Sequence, residues 1–271
     1  MKIKFREAKS IITKSNIPSI DYVINPYIGC QHSCIYCYAE FMIRFTDHKG
    51  EKWGEFLDIK TFDLNQIKPH KYDGKRILLS SVTDPYLPLE KSYQNTRKIL
   101  ESLVGTRAEI SILTKSKLVL RDIDLFKQFE KIRVGISINT TNDNFARLIE
   151  RAASKPSERI EAIKKISEEG ILTYTFISPF FPEITDYKTI IERTMDFTGS
   201  HSFENLNFRP HNVPRIKSII KEHYPTLLSK YEEIQKDRSY WDYLEKDIRM
   251  YCEEKNLNYS IEFHHGGFSK S

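Results

Sequence analysis

The sequence has few of the features that mark membrane, secreted or repeat proteins. No run approaches the roughly twenty apolar residues that a membrane-spanning helix needs. The N-terminus has a charged start but no apolar segment behind it, which is not the pattern of a secretory signal. Low-complexity tracts, long linkers and repeats of solenoid period are also absent. We therefore expect a globular, cytoplasmic chain in a reducing environment, where thiols are more useful as ligands than as disulfides.

Charge is abundant but not one-sided. The 271 residues include 42 Lys and Arg and 37 Asp and Glu, so the formal net charge is +5. Hydrophobic residues make up 39% and charged residues 29%, proportions typical of a globular protein with a substantial core. A balance this mildly basic permits a phosphate-bearing partner without requiring one. Strong nucleic-acid binders show denser basic clusters, so composition alone does not assign the chain to them.

Cysteine is scarce, yet three of the four cysteines, Cys30, Cys34 and Cys37, lie within eight positions. Three thiols cannot pair among themselves without leaving one over, and disulfides in such short loops are strained. The spacing favours one compact metal centre. Three thiolates leave one iron of a cubane [4Fe–4S] cluster without a protein ligand, and that iron could hold a substrate or cofactor. A structural zinc site with His32 or a distant residue as fourth ligand is the alternative.

From Arg76 onward, apolar runs of strand length alternate with polar segments of helical period. The predicted strands are residues 76–81, 108–114, 133–139, 172–178 and 203–209, and the predicted helices are residues 94–103, 119–129, 143–152, 157–169 and 187–198. Such alternation predicts an α/β protein with parallel strands and right-handed crossovers. With the strand before Cys30 there are about six βα units, fewer than the eight of a closed TIM barrel. We therefore expect a partial (β/α)6 TIM barrel.

The domain organisation follows from the same pattern. We divide the chain into an N-terminal segment, residues 1–19, a barrel core, residues 20–210, and a helical C-terminal extension, residues 211–271. Residues 212–257 are predicted to be mostly helical, and residues 258–263 to form a final edge strand. We interpret the extension as a cover on one side of the barrel. The pair His264 and His265 is typical of a tail rather than of a metal site.

Polar residues follow the predicted strands at their carboxyl ends, where βα architectures bind ligands. The cysteine loop follows the first strand, and the other strand ends carry hydroxyl, amide, carboxylate or cationic groups: Ser81, Asp84, Lys115, Ser137, Asn139, Ser178, Asn207 and Arg209. Such a ring could hold a polar cofactor with an amino acid part and a ribose. On spacing alone, Ser137 and Asn139 could equally pack inside the barrel, and Asp84 could belong to an ordinary turn.

The chain resembles the radical S-adenosylmethionine (SAM) enzymes, in the branch of spore photoproduct lyase. The resemblance rests on five motifs in order: residues 25–39, NPYIGCQHSCIYCYA; 81–86, SVTDPY; 114–116, TKS; 136–139, ISIN, with the helix entry at 148–163; and 178–186, SPFFPEITD. It extends from about residue 20 to residue 186, with weaker support to residue 209. It implies a partial barrel of the radical SAM type.

The resemblance also implies the cofactors. Cys30, Cys34 and Cys37 would hold a [4Fe–4S] cluster, and SAM would bind the open iron. One electron from a reductant such as flavodoxin or ferredoxin would cleave SAM to methionine and a 5′-deoxyadenosyl radical, which abstracts hydrogen from a substrate. The implied SAM contacts are Ser81 and Asp84 for the methionine part, Lys115 and Arg159 for the carboxylate, Ser137 and Asn139 for the ribose, and Tyr36, Tyr38 and Ser178 for the adenine.

One position departs from the branch. Its lyases carry a hydrogen-donating cysteine directly before the serine that contacts SAM, where this chain has Ser80. A hydroxyl hydrogen is bound too strongly for that task, so we do not expect thymine-dimer repair by the lyase route. Cys252 lies in a polar helical stretch and is not an evident replacement. We expect Arg209 and His211 to face the substrate.

The sequence leaves the substrate open. The branch resemblance and the basic balance favour DNA or a nucleotide, while a peptide or a small molecule fits nearly as well. The alternative from another class is a zinc- or cluster-stabilised nucleic-acid-binding module or sensor without catalysis. Tyr240, Trp241 and Tyr243 of the extension could stack on bases, although packing in a core or an interface is the more frequent role of such aromatic residues.

Overall fold

Eight strands form the sheet that carries the candidate site. The computed structural model describes residues 1–263, so the predicted histidine pair at 264 and 265 lies outside the described residues. The strands of the described chain are β1 Lys2–Glu7, β2 Ile12–Lys14, β3 Tyr22–Ile24, β4 Tyr27–Ile28, β5 Phe56–Thr61, β6 Arg76–Leu79, β7 Glu109–Thr114, β8 Ile132–Ser137, β9 Leu172–Phe180, β10 Ser200–Asn205 and β11 Tyr259–Glu262. The larger sheet has the order β11-β10-β9-β8-β7-β6-β3-β2.

The larger sheet confirms the predicted partial barrel. All neighbours from β3 to β11 are parallel, and only β2 pairs in the antiparallel sense, with β3. The six strands β3, β6, β7, β8, β9 and β10 are the six predicted barrel strands, and the sheet does not close. The predicted edge strand is also present, because β11 pairs with β10.

The helices follow the predicted alternation at their starts. They are α1 Glu90–Tyr93, α2 Asn95–Leu103, α3 Ile123–Phe126, α4 Asp143–Ile149, α5 Pro156–Glu168, α6 Tyr187–Glu192, α7 Val213–His223, α8 Leu228–Lys236 and α9 Ser239–Glu254. Short 3₁₀ helices occupy Tyr38–Phe45, Leu64–Gln66, Pro69–Tyr72, Lys117–Asp122 and Pro225–Leu227. Within residues 1–263 no helix has both the length and the apolar character to cross a membrane.

Three predicted elements differ most from their predicted bounds. The helix predicted at 119–129 is the 3₁₀ segment Lys117–Asp122 followed by the short α3, because the buried Asp122 is pinned there by ion pairs to Arg97 and Arg121. The helix predicted at 187–198 ends at Glu192. The strand predicted at 203–209 is β10, which starts three residues earlier.

The shift of β10 has a physical cause. The Gly199 N–H donates to Thr173 O at 2.9 Å, so pairing with β9 already begins at Ser200. The first residues of β10 are polar, and the sequence pattern therefore did not predict them as strand. One of them, His201, is nevertheless buried, and its ring pairs with Thr194 beside α6. Leu206, which lies within the predicted range, is buried outside the strand.

A second sheet of three strands was not predicted. β1 pairs in parallel with β5, and β5 pairs in the antiparallel sense with β4. The short β4 leads directly into the cysteine loop, so this sheet forms a support behind that loop. The N-terminal residues thus contribute strands to both sheets, β1 to the smaller sheet and β2 to the larger.

The barrel interior is filled at the amino ends of its strands. The ring of Tyr174 lies across Gly135 so closely that a Cβ at residue 135 would come within 2.1 Å of it. The Tyr174 hydroxyl donates to Ile112 O at 3.2 Å, and the Arg133 guanidinium lies 5.3 Å from the ring centre. These side chains close the barrel interior on that side, so the open space of the barrel lies toward the carboxyl ends of the strands.

The extension packs on the barrel through buried aromatic residues. Trp241 of α9 and Tyr231 of α8 are 3% and 0% exposed, and the Tyr231 hydroxyl donates to Pro182 O at 3.0 Å. Tyr187 of α6 donates its hydroxyl to Asp247 at 2.6 Å. Trp241 is therefore a packing residue and is not available for stacking on bases, whereas Tyr243 is exposed.

Candidate active site

Two backbone turns bring the three cysteines together after β4. The N–H of Ser33 donates to Cys30 O at 3.3 Å, and the N–H of Cys37 donates to Cys34 O at 3.2 Å. Gly29 enters the loop with φ +94°, and a Cβ there would lie 2.6 Å from Phe56 O, so only glycine fits. No disulfide involves any of the cysteines. The loop thus presents three thiols from one short segment, as predicted.

The surroundings of the thiols suit a metal centre. Burial raises the pKa of Cys30 to about 12, and it also raises the pKa of Cys34 and Cys37. Buried thiolates of this kind form readily when a metal supplies the compensating positive charge. Among residues 1–263, no three His, Cys, Asp or Glu side chains are grouped so as to hold a single metal ion.

Asp84 joins three of the loops at the carboxyl edge. Its carboxylate accepts from Thr114 Oγ1 at 2.6 Å, from the N–H of Lys115 at 2.8 Å and from the N–H of Tyr86 at 2.8 Å, and it lies 3.2 Å from His32 Nε2. Burial opposes the charge, but His32 and Thr114 hold the pKa of Asp84 at about 2. Protein donors thus surround the carboxylate, which gives Asp84 a positioning role beside its predicted contact with SAM.

A second buried carboxylate, Glu150, organises the other side. It accepts from the Tyr36 hydroxyl, from Asn139 Nδ2 at 3.1 Å and from the guanidinium of Arg159. Burial opposes its charge, but Arg159 and Lys115 lower its pKa. Three predicted site residues, Tyr36, Asn139 and Arg159, therefore meet at one carboxylate that the sequence analysis did not single out.

Arg159 is enclosed by the protein. Its side chain is 0% exposed, Nη1 donates to Ser137 O at 2.9 Å, and Nε donates to Ser154 O at 2.7 Å. These contacts and the pair with Glu150 engage the guanidinium, so Arg159 holds the end of β8 in place. Its predicted contact with the SAM carboxylate stays a prediction, and Lys115 is the more accessible cation.

Lys115 is close enough to Cys34 and Glu150 for their charges to act on it. Its Nζ is 5.9 Å from the centre of the Tyr36 ring. Burial opposes the charge, but Cys34 and Glu150 outweigh it and raise the pKa of Lys115. A cation held at this point can pair with an anionic group of a ligand bound next to the cysteine loop.

Asn25, which lies between β3 and β4, binds the loop after β6 and holds it beside the cysteine loop. Its Oδ1 accepts from the N–H groups of Ser81 and Val82 at 2.9 and 3.1 Å, and its Nδ2 donates to Ser81 Oγ at 3.2 Å. The Tyr38 hydroxyl donates to Ser81 O, and Thr83 Oγ1 donates to Gly29 O at 2.6 Å. Asn25 belongs to the first predicted motif but had no predicted role; its signal in the sequence is a polar residue directly after an apolar strand.

Among the buried polar atoms without a hydrogen-bond partner within residues 1–263, two follow the barrel strands β6 and β8 closely. They are Ser80 Oγ, after β6, and Asn139 Oδ1, after β8. Buried polar atoms in native proteins are nearly always paired, so unpaired ones at a strand edge indicate where a polar ligand binds. The neighbouring Ser137 Oγ donates to Ser178 O at 3.0 Å, which joins β8 to β9. The residues present therefore fit a ligand rich in hydrogen-bonding groups, such as SAM.

Glu204 of β10 is a further site residue that the sequence analysis missed. It accepts from Ser178 Oγ at 2.6 Å. Burial first, and then the charges of Glu204 and Cys37, raise the pKa of Tyr38, which places the carboxylate close to that tyrosine. The predicted strand at 203–209 drew attention to Asn207 and Arg209 instead, because its end lay four residues too late.

Residues at the start of the C-terminal extension and in α7 also contact the cysteine loop. Asn212 Nδ2 donates to Tyr36 O at 3.1 Å, and its Oδ1 accepts from the N–H of Arg209 at 2.9 Å. His211 Nε2 donates to Cys37 O at 3.1 Å. In α7, Arg215 pairs with Glu40 at 2.5 Å. His211 thus lies at the cysteine loop, and its predicted contact with the substrate stays a prediction.

A three-cysteine loop at the carboxyl edge of an open parallel barrel, ringed by polar groups, defines the radical SAM class of enzyme. Residues 24–195 match the family model of the Radical SAM superfamily, and the chain belongs to that family. The predicted resemblance is confirmed, and with it the expectation of SAM-dependent radical chemistry.

Three relatives are informative. An uncharacterized protein of Methanocaldococcus jannaschii is 41% identical over 248 residues, which cover 92% of this chain and 91% of that protein. An uncharacterized protein of Acidianus two-tailed virus is 31% identical over 219 residues, 74% of this chain and 72% of that protein. The radical SAM Nalpha-GlyT isomerase of Pseudomonas phage M6 is 30% identical over 183 residues, 65% of this chain and 37% of that protein.

Solved structures agree on the fold. Spore photoproduct lyase complexed with dinucleoside spore photoproduct superposes with a TM-score of 0.65 at 17% identity, covering 97% of this chain and 82% of that chain. SuiB of Streptococcus suis bound to S-adenosylmethionine superposes with a TM-score of 0.55 at 15% identity, covering 90% of this chain and 50% of that chain. At these identities the likeness concerns the fold.

Proposed function

We propose that this protein uses one [4Fe–4S] cluster, held by Cys30, Cys34 and Cys37, to cleave SAM reductively and abstract hydrogen from a nucleobase of DNA. The observation that carries the proposal is the convergence of three free thiols with unpaired polar atoms at one edge of an open barrel. When bound, the cluster and SAM supply one-electron cleavage of a carbon–sulfur bond and a 5′-deoxyadenosyl radical. The protein's own residues hold the cofactor, position the substrate and exclude water.

The residues around the cluster divide this work. Lys115, fixed by the bond of its backbone to Asp84, pairs with the SAM carboxylate. Ser81, locked by Asn25, offers its hydroxyl to the methionine part. Asn139, held through its amide nitrogen by Glu150, keeps its unpaired Oδ1 as an acceptor for a ribose hydroxyl. Each polar group is thus fixed by a neighbour before the ligand arrives, which reduces the entropy cost of binding.

The names of two similar proteins support DNA as the substrate class. One solved relative of this fold is in complex with a dinucleoside spore photoproduct, and the phage relative is named a Nalpha-GlyT isomerase. Glu204, beside Ser178 and Tyr38, is an acceptor that suits the N–H or amine groups of a base. Arg209 and His211 flank the same edge and are suited to phosphate oxygens.

Ser80 argues against a lyase that repairs thymine dimers. It stands where the lyases have a hydrogen-donating cysteine, and a serine hydroxyl does not donate a hydrogen atom. Cys252 does not replace it, because Cys252 is 0% exposed in α9 and belongs to the main hydrophobic core. We therefore propose rearrangement or modification of a base instead of dimer repair.

Anaerobic SAM cleavage tests the proposal. Reconstituted protein, reduced with dithionite, should be brown and should form 5′-deoxyadenosine from SAM. The triple variant Cys30→Ala, Cys34→Ala, Cys37→Ala should lose both properties, while Cys252→Ala should keep them. Colourless protein with stoichiometric zinc would contradict the proposal and support the binding-module alternative.

The substrate class needs its own measurement in the same assay. A single-stranded oligonucleotide with deuterated thymidine should increase 5′-deoxyadenosine formation and transfer deuterium into it, as read by mass spectrometry. SAM cleavage that an oligonucleotide neither stimulates nor labels would leave the enzyme class intact and remove DNA thymine as the substrate.

A further inference from the structure

The turn at Trp53 and Gly54 forms the wall behind the cysteine loop. Gly54 has φ +94°, and a Cβ there would lie 2.5 Å from Ser33 Oγ, inside the turn between Cys30 and Cys34. The turn therefore fits against the loop without room for another side chain. Its members and neighbours form one apolar cluster: Cys30, Ala39, Trp53 and Phe56, with Cys37, Met42, Ile43 and Val82 packed against them.

Trp53 is buried in this wall with an unpaired donor. The residue is 4% exposed, and its Nε1 has no hydrogen-bond partner within residues 1–263. The ring packs edge-to-face on Phe56, with centroids 5.8 Å apart and planes at 84°, which fixes its orientation. A buried indole N–H usually finds an acceptor, so its acceptor is to be sought among the groups that the wall faces.

The acceptor that the wall offers is sulfur. Cys37 packs against the cluster that contains Trp53. Cys30 is a member of the same cluster, so two sulfurs of the cysteine loop lie in the wall that holds the unpaired indole N–H. A thiolate accepts a hydrogen bond more strongly than a thiol, so this contact strengthens when a metal centre holds Cys37 deprotonated.

We propose that Trp53 donates an Nε1–H hydrogen bond to the Cys37 sulfur that ligates the cluster, and that this bond raises the reduction potential of the cluster. The inference rests on the proposed function, because it requires the cluster at the three cysteines. Reduction adds negative charge to the cluster and its sulfurs, and a donor stabilises the reduced state more than the oxidised state. Trp53 is a positioning residue that acts through Cys37.

The apolar wall explains why a donor is needed here. Phe56, Ala39 and Met42 surround the cysteines with groups that cannot solvate added charge, which disfavours reduction. The indole supplies a donor without introducing a charge, so it favours the reduced cluster at a small desolvation cost. A phenyl ring in its place would keep the packing and remove the donor.

Trp53→Phe is the decisive variant, and Trp241→Phe, a buried tryptophan of α9, is the matched control. Both variants and the wild type are reconstituted anaerobically, and iron and sulfide are counted per chain. The potential is then measured by redox titration followed by electron paramagnetic resonance. We expect a lower potential for Trp53→Phe at equal cluster content and an unchanged potential for Trp241→Phe.

A second measurement does not depend on how well the variant folds. In the reduced wild-type protein, pulsed resonance spectroscopy in H2O and D2O should detect an exchangeable proton coupled to the cluster, and Trp53→Phe should lack it. Equal potentials in fully loaded proteins, or no such proton in the wild type, would overturn the inference while the proposed function stands. Wild-type protein without a four-iron cluster would remove both.

Discussion

Two buried carboxylates determine where the site side chains lie. Asp84 joins the cysteine loop, through His32, to the loop after β7, and Glu150 gathers Tyr36, Asn139 and Arg159. Neither carboxylate needs to touch the cofactor to act, because each fixes several groups that do. Acidic residues are rarely buried without partners, and these two are fully engaged.

The pair of Glu150 and Arg159 can be tested by a double-mutant cycle. Both side chains are 0% exposed, so Glu150→Gln leaves a buried guanidinium without its counter-charge. We expect a loss of about 3–5 kcal/mol in the free energy of unfolding, and a similar loss for Arg159→Met. The double variant should lose clearly less than the sum, because it leaves neither charge unpaired.

Urea unfolding under anaerobic conditions measures all four proteins of this cycle. The matched control is Lys117→Met with Glu158→Gln, an exposed ion pair at 2.6 Å, for which a coupling near or below about 1 kcal/mol is expected. Strict additivity at Glu150 and Arg159 would contradict the proposed organisation of the site.

At the scale of elements, the loop between β10 and α7 connects the extension to the cysteine loop. The side chain of Asn212 is fully buried, and its amide bonds to Tyr36 O, to Asn207 O and to the Arg209 N–H. These three bonds fix the short segment that also presents His211 to Cys37 O. The segment is irregular, so side-chain bonds replace the backbone ladder that would otherwise hold it.

Asn212→Ala should loosen this connection. At about 1 kcal/mol for each lost hydrogen bond, we expect a destabilisation of roughly 2–4 kcal/mol. Hydrogen exchange at residues 207–215 should accelerate, and a chelator should remove iron faster than from the wild type. Asn258→Ala is the control, because its single bond to Gly199 O lies at the opposite end of β10. Equal iron loss in both variants would refute a role of Asn212 at the cysteine loop.

At the scale of the whole molecule, one buried histidine is expected to make folding sensitive to acid. His201 lies between β10 and α6, where Thr194 and Thr198 contact its Nε2, and burial lowers its pKa from 6.5 to about 4. Above pH 6.5 the ring is neutral in both states. Between 6.5 and about 4 only the unfolded chain takes up the proton, so stability falls as the pH falls.

The expected loss over that window is roughly 3 kcal/mol, at about 1.4 kcal/mol per pH unit. His201→Gln should remove this part of the pH dependence, so its stability relative to wild type should rise by about 2 kcal/mol between pH 7 and pH 5. His70→Gln is the control, because the side chain of His70 is 82% exposed. Urea unfolding at the two pH values measures the difference. Parallel curves for wild type and His201→Gln would show that His201 is not the responsible group.

The fold was largely predictable from the sequence, because strand and helix periods are local properties of the chain. The alternation from Arg76 onward gave five of the six barrel strands, the strand before Cys30 is the sixth, and the predicted edge strand after residue 257 is β11. The sheet of β1, β5 and β4 was not predicted, since its partners are far apart in sequence and β4 is only two residues long.

The sequence by itself determined the family, the cysteine loop and the polar strand ends, because those depend on short motifs in a fixed order. Only the tertiary structure decided which polar groups meet. It placed Arg159 against Glu150, Asn25 against Ser81, and Trp53 behind Cys37. Such pairings join segments distant in sequence, and burial alone makes them necessary: a charge or a donor removed from water requires a partner, and the fold determines which partner is within reach.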